Sequence, residues 1–82
     1  MERIGGVIIV VKNRKKVARQ VNDILSQYGD IIIGRMGIPY RERNLSIISL
    51  IVEGSTDTLG ALTGKLGMIE DVEVKSVLIT KE

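Results

Sequence analysis

The side chains able to carry chemistry fall into two basic groups. Lys12, Asn13 and Arg14 open the first, which runs on through Lys15, Lys16 and Arg19 with no acidic residue among them. The second is Gly34-Arg35-Met36-Gly37-Ile38-Pro39-Tyr40-Arg41, followed by Arg43. Residues of this kind recognise anions: a guanidinium presents a planar fork of donors to a carboxylate or phosphate. A helix beginning among lysines adds its own unpaired backbone N–H groups and the positive end of its dipole. Lys12, Asn13 and Arg14 are therefore the expected ligand-binding residues, with Gly34, Arg35, Gly37, Tyr40, Arg41 and Arg43 as secondary candidates. Each group also has a purely structural reading, a solvated helix face for the first and a glycine-kinked strand with solvated arginines for the second.

Catalytic chemistry finds less support. The chain contains neither histidine nor cysteine, so the usual poised base, the thiolate nucleophile and the common zinc and iron–sulfur ligands are missing. Ser46, Ser49 and Ser76 alternate with apolar residues and read as small packing residues. Gly64-Lys65 resembles the end of a phosphate-binding loop, but the first glycine of that motif would fall on Leu59 and no Ser or Thr follows Lys65. The expectation is a protein that is not an enzyme and uses no metal and no cofactor.

These residues must be positioned by a small aliphatic scaffold. The 82 residues are 44% hydrophobic, yet Tyr28 and Tyr40 are the only aromatic residues. The longest uninterrupted run of apolar residues and glycine, Ile4 to Val11, is far shorter than the stretch of about 20 that a membrane helix needs. A soluble cytoplasmic protein is expected, folded as one domain over 1–82. The formal charge of +2 hides an asymmetry: residues 1–44 hold nine Lys/Arg against four Asp/Glu, and residues 45–82 hold three against six. Opposite-signed halves can attract anions or nucleic acid, and can also orient copies of one chain against each other.

Arg3 to Val11 is β-branched and almost wholly apolar, which suits a central strand. Val17, Val21, Ile24, Leu25 and Tyr28 then mark one face of a helix that Asn13 can cap and Gly29 can stop. Asp30 to Ile38 reads as a second strand ended by Pro39, and Leu45 to Val52 as a third, joined through the charged tip Arg41-Glu42-Arg43-Asn44. Gly54-Ser55-Thr56-Asp57 offers a turn and a cap for a second helix carrying Leu59, Leu62 and Leu66, with Gly67 as its stop and Gly60 and Gly64 placed for close approach to a neighbour. Asp71 to Thr80 closes the chain as a fourth strand. With right-handed crossovers, this order predicts an α+β, ferredoxin-like βαββαβ (ACT-like) fold: a four-stranded antiparallel sheet with two helices on one face.

The third strand would place Leu45, Ile47 and Ile51 on one side and Ile48, Leu50 and Val52 on the other. A sheet apolar on both faces, with helices on only one, predicts a homo-oligomer, a dimer or a tetramer, because soluble monomers rarely leave such a face to water. RNA-binding domains of this topology stack bases on aromatic residues of their central strands, which this chain lacks. Direct nucleic-acid binding is left to the basic first half.

Over essentially its whole length, and most clearly at Gly34-Arg35-Met36-Gly37-Ile38-Pro39-Tyr40-Arg41 and Gly64-Lys65-Leu66-Gly67, the chain resembles the family of iron-only hydrogenase system regulators. These are small ACT-like domains similar to the C-terminal sensing domain of nickel-responsive repressors. The resemblance implies an oligomeric regulatory scaffold and a role in transcription regulation, acting through a protein or DNA partner. It does not carry over metal ligands, since those repressors bind nickel through histidines. Sequence and resemblance together point to a non-enzymatic regulatory or ligand-sensing oligomer responding to a small anionic ligand. The alternatives are a purely structural assembly module and a weak nucleic-acid-binding protein.

Overall fold

Alternation of buried and exposed residues decides how each strand faces. In β1 (Arg3–Lys12), Gly5, Val7, Ile9 and Val11 are buried, while the intervening Ile4 and Ile8 are exposed. In β3 (Leu45–Gly54), Ile48, Leu50 and Val52 are buried and Ile51 is exposed. These two strands pair antiparallel from Arg3↔Gly54 to Lys12↔Leu45, so their apolar sets line one face together. β4 (Val72–Leu78) pairs with the other side of β1, and β2 (Ile32–Tyr40) with the other side of β3, giving the order β2-β3-β1-β4. The computed structural model describes residues 2–79.

The helices α1 (Arg14–Gln27) and α2 (Thr56–Gly67) cover one face of this sheet. Val17, Val21 and Leu25 of α1, and Leu59, Leu62 and Leu66 of α2, pack with Val7, Ile9, Val11, Ile48, Leu50, Val52 and Val72 in a core that holds no buried polar or charged side chain. The architecture is the expected ferredoxin-like one. Among the described residues no helix is long and apolar enough to cross a membrane.

Local chemistry differs from expectation at several points. Asn13 stands before α1 in the left-handed region, at φ 50°, and its side chain makes no capping hydrogen bond; its carbonyl oxygen instead accepts from the N–H groups of Lys16 and Val17. Asparagine is one of the few residues that tolerate this backbone state, which makes it a corner rather than a cap. Ser55 is the real cap, its Oγ accepting from the Thr58 N–H at 3.1 Å.

No glycine among the described residues has positive φ. Gly29 therefore does not end α1 in a left-handed turn. Tyr28 closes that helix, and a 3₁₀ turn over Gly29–Ile31 follows, so β2 starts at Ile32 instead of Asp30. Pro39 does not end β2 either, because that strand lies at the edge of the sheet and reaches Tyr40, where a missing N–H is tolerated. A second 3₁₀ turn, Arg41–Arg43, forms the tip before β3. β4 begins at Val72, since Asp71 takes a left-handed turn at φ 71°; Thr80 lies outside the described residues. Gly60 and Gly64 face open space: a methyl group at either would meet nothing within 4 Å, so no neighbour within the chain explains them.

Candidate functional site

The sheet register brings the two basic groups to one end of the molecule. Lys12, the last residue of β1, and Tyr40, the last residue of β2, both stand opposite Leu45 at the start of β3. Their backbones are thus two strand spacings, about 10 Å, apart. The corner at Asn13, the start of α1 and the turn holding Arg41 and Arg43 extend from this same edge.

Geometry then divides the first group. Lys12 continues the row of Ile8 and Val10 on the face away from the helices, and its Nζ donates to Glu73 Oε2 at 3.2 Å. This is an exposed ion pair, worth little to stability. Asn13 provides the corner described above, and Arg14 is the first residue of α1. Lys12 is thus turned toward Glu73, on the side of the sheet opposite α1. Arg41 and Arg43 lie exposed in the tip.

Arg35 separates from the other arginines. It pairs with Leu50, faces the helix side of β2, and its Nη2 donates to Asn22 Oδ1 on α1 at 2.6 Å. The contact spans a cleft of about 290 Å³ between α1 and the outer half of the sheet, lined by Val11, Ala18, Val21, Asn22, Arg35, Gly37, Ile38, Pro39, Ser46 and Ile48. The cleft exists because α1 packs chiefly on β1 and α2 on β4, while β2 is the edge strand beyond β3. Gly37 keeps it open: a Cβ there would meet nothing within 4 Å. Gly34 borders the shift in register between Ile32 and Gly34. Sequence alone does not single out Asn22, although its place four residues after Ala18, beside the apolar stripe of α1, marks the helix flank that faces an edge strand.

The sheet face opposite the helices carries the largest uncovered apolar surface. Met36, Ile38 and Tyr40 of β2, Ile51 of β3, Ile4 and Ile8 of β1, and Val77 of β4 all project there, with exposures from 38% to 62%. Leu45, Ile47 and Val10 add half-buried area between them. Charge is confined to the rim, at Lys12, Glu53, Glu73 and Lys75. Among the described residues no group of three or more histidine, cysteine, aspartate or glutamate side chains is placed to hold a metal ion.

Comparison with known proteins places this arrangement. Uncharacterized protein TM1266 from Thermotoga maritima has a solved structure that superposes with a TM-score of 0.94 at 44% identity, covering 98% of this chain and 100% of that one. The C-terminal domain of the MgtC protein from Mycobacterium tuberculosis follows at TM-score 0.61 and 16% identity, covering 93% and 86%. The apo form of CPII from Thiomonas intermedia K12, a nitrogen regulatory PII-like protein, gives 0.50 and 12%, covering 100% and 98%. These last two share the fold. A search of curated proteins finds no match. The TM1266-like family model, whose description reads "Iron-only hydrogenase system regulator, putative", matches residues 3–76. With a family model spanning nearly the whole chain and a structural relative of 44% identity, the chain belongs to the TM1266-like family.

Proposed function

We propose that the chain is a non-catalytic regulatory module that works as a homo-oligomer and senses a small anion. The apolar sheet face carries this reading. Four strands about 4.8 Å apart and roughly eight residues long at about 3.3 Å each give a face of about 500 Å². Two such faces packed together bury about 1,000 Å², the threshold for a specific interface. A second copy is the occupant that fits: the rim holds Lys12 and Lys75 together with Glu53 and Glu73, so a twofold arrangement can set unlike charges against each other. The absence of histidine and cysteine from the chain supports a non-catalytic role, and the family description supports regulation as its purpose.

Anion contact belongs to the basic end, which Lys12, Asn13 and Arg14 share with the turn carrying Arg41 and Arg43. Sedimentation velocity at micromolar protein tests the assembly. A dimer or larger species is expected, and a monomer would overturn it. Thermal unfolding with inorganic phosphate and citrate tests the sensing. Stabilisation by either anion should disappear in the double variant Arg14→Glu, Arg41→Glu, and an undiminished effect would move the contact elsewhere.

A further inference from the structure

The cleft between α1 and β2 is separate from both features used above. It lies on the helix side of the sheet, away from the apolar face. It also sits one residue inward from the basic end on each strand: Val11 precedes Lys12, Pro39 precedes Tyr40, and Ser46 follows Leu45.

Its lining combines two kinds of surface. Val11, Val21 and Ile48 form an apolar floor, and Arg35, Asn22 and Ser46 supply the polar groups. Among the described residues no carboxylate lines it, and Arg35 takes part in no ion pair. The bond from Arg35 Nη2 to Asn22 Oδ1 uses one of five guanidinium donors and steadies the side chain across the opening, leaving the rest of the fork unspent. Lys15 and Arg19 stand one turn before Ala18 and Asn22 on α1, so the nearest helical charges are positive too. A volume of about 290 Å³ is at the small end of ligand sites, which as a class are apolar clefts with a few fixed polar groups.

We propose that this cleft binds a small molecule made of one carboxylate or phosphate on a short apolar body. The anionic group pairs with the Arg35 fork, and the body lies on Val11, Val21 and Ile48. A bidentate pair fixes orientation as well as sign, so a neutral analogue of the same shape loses the polar half of its binding. The proposal goes beyond the sensing reading by adding a second place for an anion within one protomer, and it depends on neither the assembly nor the basic end.

Titration of isotopically labelled protein with hexanoate, hexyl phosphate and hexanamide, followed by amide NMR, tests it. Hexanoate or hexyl phosphate is expected to shift the amides of Val11, Gly37 and Ser46 saturably, and whichever binds tighter identifies the anionic group. That ligand should bind about tenfold tighter than hexanamide, the difference a charged hydrogen-bonded pair makes. Arg35→Gln, which can still donate to Asn22, should bring anion and amide to within about twofold of each other. Gly37→Val adds a branched side chain where a Cβ meets nothing within 4 Å, and should weaken all three ligands about tenfold or more. Absence of saturable shifts in the parent protein, shifts centred on Lys12 to Lys15, or an undiminished anion preference in Arg35→Gln would each overturn the proposal. A monomer in sedimentation, or no effect of Arg14→Glu with Arg41→Glu on phosphate stabilisation, would instead count only against the assembly or the anion contact at the basic end.

Discussion

Gly5 is the glycine at which an added Cβ has least room. A methyl group there would stand 2.5 Å from the Val77 carbonyl oxygen and 2.8 Å from Leu78 Cδ2, and the carbonyl belongs to backbone held in the β1–β4 ladder. Gly5→Ala is expected to destabilise the fold by about 1–3 kcal/mol, the usual cost of forcing extra volume into a packed site. A urea-unfolding midpoint unchanged from the parent would show that β4 shifts freely. Gly6, one position on, has only Leu50 O at 3.8 Å and provides the control. The pair looks alike in sequence; only the pairing of β4 with β1 separates them.

Helix α2 shows how capping and composition oppose each other within one element. Ser55 donates its hydroxyl to Thr58 Oγ1 at 2.8 Å and accepts from the Thr58 N–H, so Ser55→Ala is expected to cost about 1 kcal/mol. Gly60→Ala and Gly64→Ala should each raise stability by about 1 kcal/mol, because both positions are helical and open. Urea titration of the three single variants checks both signs, and a loss on Gly60→Ala or Gly64→Ala would mean that another copy packs against this side of the helix. The elements are legible in the sequence wherever period carries the signal: Val17, Val21 and Leu25 for α1, Ile48, Leu50 and Val52 for β3. Boundaries are less so, because Gly29, Pro39 and Asn13 have usual local roles, while the edge position of β2 and the corner before α1 give them others. Of the candidate site, the basic residues can be named from sequence but not their separation. Arg35 parts from Arg41 and Arg43 through strand alternation and register, and Asn22 reaches it only through tertiary packing.

For the whole molecule, the decisive property is that one side of a four-stranded sheet is covered by helices and the other is not. Ile8 and Ile51 occupy the central strands β1 and β3 on the open side, at 46% and 48% exposure. Ile8→Lys with Ile51→Lys should therefore dissociate the proposed assembly while leaving far-ultraviolet circular dichroism unchanged, since neither side chain enters the core. An oligomer that survives both substitutions would place the interface elsewhere. The edge strand β2 bears on how such an assembly ends. A strand arriving alongside it meets the shift in register between Ile32 and Gly34, then Pro39, whose nitrogen has no hydrogen to offer. Growth by adding strand to strand is thus obstructed at that edge, whereas stacking through the apolar faces would cover each copy's open sheet face in a single step. In the proposed assembly, the same proline that reads as a terminator in the sequence would favour a closed particle of few copies over the seed of a filament.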